Sequence, residues 1–211
     1  MCINAGTSLA AFLIGTAMNA LVLGSKKTDV LVIALIYEFI LTMQLVDFVA
    51  WRNPGCGKIN EWATKAGFVQ NMLQPVVVLL VLLHFTESQS RGFKGIASLL
   101  LTFYVGYVFV KLYYTKQPAA ITCLKPTDKC KHLQYDWWWN IGDYPIFIHL
   151  TPIILGFLLL LNSATFALQH SAYLVLSFLI SGKFYACGVP SMFCLFAVGG
   201  PILNFLLNLG P

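Results

Sequence analysis

Charged residues are scarce in this sequence of 211 residues. It contains 13 Lys or Arg and 8 Asp or Glu, so that only 10% of its residues are charged, whereas an ordinary globular domain has about 25%. The sequence also lacks the Gly repeat of collagen, the high charge of disordered segments and the clustered basic residues of nucleic-acid-binding modules. These three classes are therefore excluded, and we expect no nucleic-acid partner.

Motifs that mark enzymes, metal centres and cofactor sites are absent as well. The sequence has no Gly-x-Ser-x-Gly, no His-Glu-x-x-His, no phosphate-binding Gly loop and no Cys-x-x-Cys. The last apolar run contains no Lys, so retinal has no residue there to which it could attach as a Schiff base. We therefore predict a protein that is not an enzyme and that has neither a metal nor a cofactor.

Apolar residues, in contrast, make up 58% of the sequence, and the mean hydropathy is +0.77. A bilayer core about 30 Å thick is crossed by about 20 mostly apolar helical residues. Runs of this kind predict an all-α polytopic membrane helix bundle, a single transmembrane domain with seven transmembrane helices, or six as the alternative. The predicted spans are residues 8–24, 30–51, 66–85, 96–114, 145–161, 165–181 and 191–209, and residues 115–143 form an extramembrane loop.

Two features shape the C-terminal part of the sequence. The apolar run between Tyr144 and Gly182 is too long for one crossing at about 1.5 Å per residue, so it must fold back once. We place the hairpin at Asn162 and Ser163, the only adjacent polar pair near the middle of the run. In the last span we expect residues 199–201 (Gly-Gly-Pro) to kink the helix or open a cavity, because Pro removes a backbone hydrogen bond and Gly lets a neighbour approach.

The distribution of basic residues indicates an orientation. Most of the 13 Lys and Arg residues lie on the side that carries the N-terminus in the seven-span arrangement, so the positive-inside rule places the N-terminus in the cytosol. Cys123 and Cys130 are close enough in sequence to close a short loop by a disulfide. A disulfide requires an oxidising compartment, which conflicts with that orientation. We therefore favour free thiols, with the disulfide as the alternative.

Polar residues within the predicted spans are the candidates for function, because each costs free energy in a bilayer unless it is paired. Most of them lie in spans two and three and comprise Glu38, Gln44, Asp47, Asn71 and Gln74. Pro75 belongs to the same set, because it leaves the backbone carbonyl of Asn71 without a helical donor. One interpretation of this predicted polar cluster is a site or pathway for a proton, a cation or a small polar ligand between the two helices. The other is a set of hydrogen bonds that fixes how the helices pack. We favour the second, because amides dominate and no Lys or Arg within the spans matches the acids.

Three His residues, His84, His149 and His170, fall on three different predicted spans. A metal site would require ligands in close sequence pairs or a clear convergence of ligands, and the sequence offers neither. We therefore expect these His residues to be hydrogen-bonded residues of the bundle interior.

The loop of residues 115–143 is polar in its first half and aromatic in its second. The aromatic side chains of this half include Tyr135, Trp137, Trp138 and Trp139. They are typical of an interfacial aromatic belt at the headgroup layer and equally of a docking surface for a partner protein. Both interpretations stay open, because three consecutive Trp side chains project in different directions and cannot all face lipid.

Several short motifs occur along the first three spans and near the C-terminus. They are Met1-Cys2 with Ser8-Leu9-Ala10, residues 43–47 leading to Trp51 and Asn53, residues 56–60 with Ala63-Thr64, Gln74-Pro75, and residues 188–194. In combination they resemble a family of uncharacterised multi-pass membrane proteins encoded by giant DNA viruses of algae and amoebae. In the last motif Pro190 interrupts the family's pattern and Phe193 stands where Trp is usual.

The resemblance implies a virion protein, because such viruses carry an internal lipid membrane beneath an icosahedral capsid. It implies a structural protein of that membrane, present in host membranes during assembly, that contacts the capsid layer as a minor capsid component. Its partners would be the lipid bilayer and capsid or other virion membrane proteins. The alternative that the residues suggest is a small transporter or channel that uses the predicted polar cluster.

Overall fold

The structure, a computed structural model, describes residues 4–55, 57–85, 91–114, 146–184, 196 and 198–209. Within these ranges every regular element is a helix, which confirms the all-α prediction. The helices are α1 (Ala5–Leu21), α2 (Thr28–Arg52), α3 (Lys58–Phe85), α4 (Arg91–Tyr114), α5 (Ile146–Leu160), α6 (Ala164–Phe184) and α7 (Gly199–Leu209).

Four of these helices, α2, α3, α4 and α6, are long and apolar enough to cross a membrane. In α1 and α5 the apolar stretches are shorter than 18 residues, and α7 has 11 residues. The described part of the chain therefore contains about four helices of membrane-spanning length rather than the seven that we predicted. The reason is that α1, α5 and α7 have 17, 15 and 11 described residues, fewer than the about 20 that cross a bilayer core.

Helix α3 begins at Lys58, well before the predicted start at residue 66. Its first turns contain several polar residues. Among them Asn60 is buried, and its Nδ2 donates a hydrogen bond of 2.9 Å to the carbonyl oxygen of Asn53. Lys65 and Glu61 form an ion pair at helical spacing, with 2.6 Å between Nζ and Oε1. Side-chain contacts of polar residues thus extend the helix beyond its apolar run.

The hairpin between α5 and α6 lies at Leu161–Ser163, as predicted from the polar pair Asn162 and Ser163. The carboxylate of Asp29 accepts hydrogen bonds from the backbone N–H groups of Asn162 (3.1 Å) and Ser163 (2.8 Å). It also accepts one of 2.9 Å from the Asn162 side-chain amide. A carboxylate at this point satisfies N–H groups that a helix N-terminus leaves unpaired. The start of α2 therefore holds the start of α6.

The last helix, α7, begins at Gly199, with Val198 in a turn, and Pro201 lies in its first turn. The kink or cavity expected at residues 199–201 stays a prediction, because residues 185–195, which precede them in the same predicted span, lie outside the described ranges. Gly200 lies against the ring of Tyr37 so closely that a Cβ atom would come within 2.1 Å of Cζ. Only Gly permits this contact between α7 and α2.

Helix α2 lies in the middle of the bundle and packs against α1, α3 and α7, and α5 packs against α3, α4 and α6. The interior consists of large apolar side chains, and Tyr37, Leu79, Leu82 and Phe157 are among those fully buried. The outer side of α4 is apolar and exposed, and Phe103 is 70% exposed. An exposed apolar helix face of this kind is what a lipid environment requires.

Candidate intramembrane polar site

Glu38 of α2 faces α1. Oε1 of Glu38 accepts a hydrogen bond of 2.8 Å from Oγ1 of Thr16, and Oε2 accepts one of 2.8 Å from Nδ2 of Asn19. We predicted Glu38 to join a cluster between α2 and α3, but its hydrogen bonds lead to the other neighbour. The reason is the rotation of about 100° per residue, which turns Glu38 away from Gln44 and Asp47. Both carboxylate oxygens are therefore occupied by donors from α1.

The interface between α2 and α3 contains amides of α3. Nε2 of Gln70 donates hydrogen bonds to the carbonyl oxygen of Phe39 (2.9 Å) and to Oγ1 of Thr42 (2.6 Å). One residue further along α3, Nδ2 of Asn71 lies 3.6 Å from Sδ of Met43, within the range of a hydrogen bond to sulfur. These contacts fix the axial position of α3 on α2.

His149 of α5 connects three helices. Its Nε2 lies 3.2 Å from Oε1 of Gln74 in α3, and its Nδ1 lies 3.4 Å from the hydroxyl of Tyr104 in α4. Because the amide oxygen only accepts hydrogen bonds, Nε2 is the donor, and in an uncharged imidazole Nδ1 then accepts from the Tyr104 hydroxyl. All three side chains are buried. The prediction of a hydrogen-bonded bundle histidine is confirmed for His149.

His170 of α6 also lies beside a Tyr hydroxyl, that of a different residue. Its Nδ1 lies 3.4 Å from the hydroxyl of Tyr37 in α2. The His170 ring also meets the edge of the Phe166 ring, with 4.6 Å between the centroids. Since Tyr37 packs against Gly200, this contact joins α2, α6 and α7 in the interior of the bundle. His84, the remaining His of the predicted spans, lies in the last turn of α3 beside the ring of Phe85.

Gln44 and Asp47 are fully buried and lie one helical turn apart on α2. Their positions, at about 100° per residue, turn them toward the interior of the bundle rather than toward α1. Pro75 lies inside α3, four residues after Asn71, and cannot donate to the Asn71 carbonyl. The residues of the predicted polar cluster thus divide between the α1 interface, the α3 interface and the interior.

Three further polar contacts, which the sequence reasoning missed, join the ends of helices that are distant in sequence. The first contact joins Asp29 to the hairpin between α5 and α6. In the second, Nδ2 of the buried Asn204 in α7 donates a hydrogen bond of 2.9 Å to the carbonyl oxygen of Val30. In the third, Oγ of Ser25 donates one of 2.9 Å to Oδ1 of Asn208. The signal in the sequence was the pair Asn204 and Asn208, two amides at helical spacing in an apolar run.

Several predicted residues lie outside the ranges that the structure describes. They are Cys123 and Cys130 of the alternative disulfide, and Tyr135, Trp137, Trp138 and Trp139 of the aromatic segment. Among the residues that the structure does describe, no three His, Cys, Asp or Glu side chains come together as a metal site would require.

Hydrogen bonds between side chains of neighbouring helices can set the rotation and the axial position of each helix. The contacts of Glu38 with Asn19, of Gln70 with Thr42 and of His149 with Gln74 are all of this type. No family model, curated protein or solved structure matches the chain. Function must therefore be inferred from the residues and their geometry.

Proposed function

We propose that the chain is a structural, non-enzymatic protein of a viral internal membrane, in which it forms a fixed helix bundle and contacts the capsid layer. The observation that carries the structural role is the environment of Glu38, an acid within a predicted span. Both of its carboxylate oxygens accept hydrogen bonds from α1, so the acid joins two helices. An ion pathway would instead require oxygens that a passing ion can reach.

The proposal includes seven crossings of the membrane. Helices α2, α3, α4 and α6 have the length and hydropathy for this. Helix α1 has 17 residues, which lies at the lower limit of about 17–25 for a transmembrane helix, and it packs along α2. Helix α5 packs between α4 and α6, both of which have spanning length. The short α7 covers the last 11 residues of the predicted span 191–209.

The viral membrane enters the proposal through the resemblance of the short motifs, among them residues 43–47 and Gln74-Pro75. A membrane protein that anchors a capsid needs an extramembrane segment that protein partners can reach. Residues 115–143 form the only long segment of this kind in the sequence. Their Trp and Tyr residues are of the types that supply much of the binding energy at protein interfaces.

Cross-linking in purified virions tests this proposal. A photoreactive amino acid would replace Trp138 in the aromatic segment, and, as a matched control, Phe103 on the lipid-facing side of α4. We expect the protein in virions and a cross-link to a capsid component from position 138 only. Absence of the protein from purified virions would contradict the proposed location. Equal cross-links from both positions would contradict the proposed contact.

A second candidate function, a small transporter or channel, is favoured by one observation. Oδ1 of Asn71 and Nε2 of Gln74 are buried and have no hydrogen-bond partner among the described residues. These atoms lie in the same interior that Gln44 and Asp47 face. Ion flux into proteoliposomes tests this function, with Asp47→Asn as the variant and Glu38→Gln as the comparison. A flux that Asp47→Asn alone abolishes would favour a transporter over a structural protein.

A further inference from the structure

A cleft of about 690 Å³ opens at the end of the bundle where α2 and α6 begin and α7 ends. The hydrogen bonds of Asp29 to Ser163 and of Ser25 to Asn208 show that these three helix ends meet at the same level. The volume falls within the range of about 300–1,000 Å³ that is typical of small-molecule sites. The cleft is separate from the interior polar residues described above.

The lining of the cleft combines polar and apolar side chains. The polar ones include Lys27, Thr165 and Gln169, and the apolar ones include Phe166 and Leu206. Lys27 directly precedes α2, and Thr165 and Gln169 lie in the first two turns of α6. Both α2 and α6 are helices of membrane-spanning length. The cleft is therefore located where the headgroup layer of a bilayer meets its hydrocarbon core.

We propose that this cleft binds one glycerophospholipid molecule of the surrounding bilayer. The phosphate group lies at Lys27, whose ammonium group is a compact cation of the kind that binds phosphate. The amide of Gln169, one turn further into α6, donates to an ester carbonyl oxygen of the lipid. One acyl chain packs against Phe166 and Leu206. The carboxylate of Asp29 also lines the cleft, where three N–H donors of the hairpin already bind it.

The apolar residues of the lining distinguish a lipid from a free phosphate ion. Inorganic phosphate at Lys27 would leave the exposed side chain of Leu206 uncovered. A phospholipid covers both kinds of side chain at once, because it carries a phosphate group and acyl chains in one molecule. The inference requires only a bundle that spans a membrane, and it does not depend on a viral location.

Ligand titrations of the full chain in an uncharged detergent test the ligand class. Three probes are compared by their effect on thermal unfolding: a short-chain phosphatidylcholine below its micelle concentration, inorganic phosphate, and a short-chain diacylglycerol. We expect a saturable rise of the unfolding temperature with the phosphatidylcholine alone. A similar rise with inorganic phosphate would show a soluble-anion site and overturn the proposal. The absence of a rise with any probe would overturn it as well.

Two neighbouring Lys residues provide a matched control for the location. Lys27→Gln should weaken binding of the phosphatidylcholine roughly tenfold, the effect of losing a hydrogen bond to a charged group. Lys26→Gln removes the same charge from an exposed residue beside the cleft and should leave affinity within about twofold. Thr165→Phe should abolish binding by filling the cleft, with helical content by circular dichroism unchanged. Equal loss in both Lys variants would overturn the proposal in favour of diffuse surface charge.

Discussion

Asn19 of α1 donates a hydrogen bond of 2.8 Å from Nδ2 to Oε2 of Glu38 in α2. Asn19 is buried, and Glu38 is only partly exposed, so neither group is fully hydrated. A carboxylate in such surroundings costs several kcal/mol if it is left without donors. The contact therefore explains how an acid can be kept within an apolar helix, and it makes α1 an integral part of the bundle.

Gly200 tests the close contact between α7 and α2. In Gly200→Ala the new Cβ atom would come within 2.1 Å of Cζ of Tyr37, whose ring is fully buried and cannot move aside. We expect a loss of about 1–3 kcal/mol in the free energy of unfolding, the usual cost of overpacking. Unfolding in mixed detergent micelles, followed by circular dichroism, measures the change.

Gly95 of α4 is the matched control, because a Cβ atom there would have no neighbour within 4 Å. Gly95→Ala should leave the stability unchanged or raise it by up to about 1 kcal/mol through helix propensity. If both Ala variants behaved alike, the packing of Tyr37 on Gly200 would not be a determinant of stability.

Asp29 tests the connection between the start of α2 and the hairpin. Asp29→Ala removes the acceptor of three hydrogen bonds, two of them from backbone N–H groups of Asn162 and Ser163. We expect a loss of about 2–3 kcal/mol in the free energy of unfolding, since hydrogen bonds to a charged, buried acceptor would be lost. Asp29→Asn, which keeps one acceptor oxygen, should lose less.

The exposed neighbour Thr28 is the control for this position. Thr28→Ala should change the free energy of unfolding by less than about 0.5 kcal/mol, as is usual for surface substitutions. Limited proteolysis between α5 and α6 adds a local readout, because cleavage there should accelerate in Asp29→Ala alone. Unchanged cleavage would show that the hairpin is held by other contacts.

Tyr104 tests the three-helix contact around His149. Tyr104→Phe removes the hydroxyl that lies 3.4 Å from Nδ1 of His149 and leaves the ring in place. Hydrogen bonds of this kind between membrane helices contribute on average about 0.6 kcal/mol and at most about 1.7 kcal/mol. We expect a loss within that range in the same unfolding measurement. Phe103→Leu, a change on the lipid-facing side of α4, should have no measurable effect.

Local features of the sequence predicted much of the fold. The hairpin could be predicted because Asn162 and Ser163 interrupt an apolar run that is too long for one helix. The close approach at Gly200 could be predicted because Gly lets a neighbour approach, as the ring of Tyr37 does. Both signals depend on neighbouring residues alone. The predicted bounds of α1 were three residues too late, since hydropathy does not distinguish the apolar turn of residues 22–24 from an apolar helix.

The partners of the polar residues could not be predicted in the same way. Helical rotation separates Glu38 from Asp47, but it does not state which helix lies on either side. The contact of Asp29 with Asn162 joins residues 133 positions apart, and only the packed bundle brings them together. Thr16 and Asn19, two polar residues at helical spacing in the second half of α1, were the one local sign that an acid of another helix would face them.

A double-mutant cycle between Asn19 and Glu38 tests most directly the claim that the polar residues join helices. The free energy of unfolding in mixed micelles is measured for the wild type, Asn19→Ala, Glu38→Ala and the double variant. If the hydrogen bond joins α1 to α2, the double variant should lose less than the sum of the single losses, by about 0.5–1.5 kcal/mol. Additivity within about 0.3 kcal/mol would contradict the claim, because the hydrogen bond between Asn19 and Glu38 would then contribute nothing to the packing of α1.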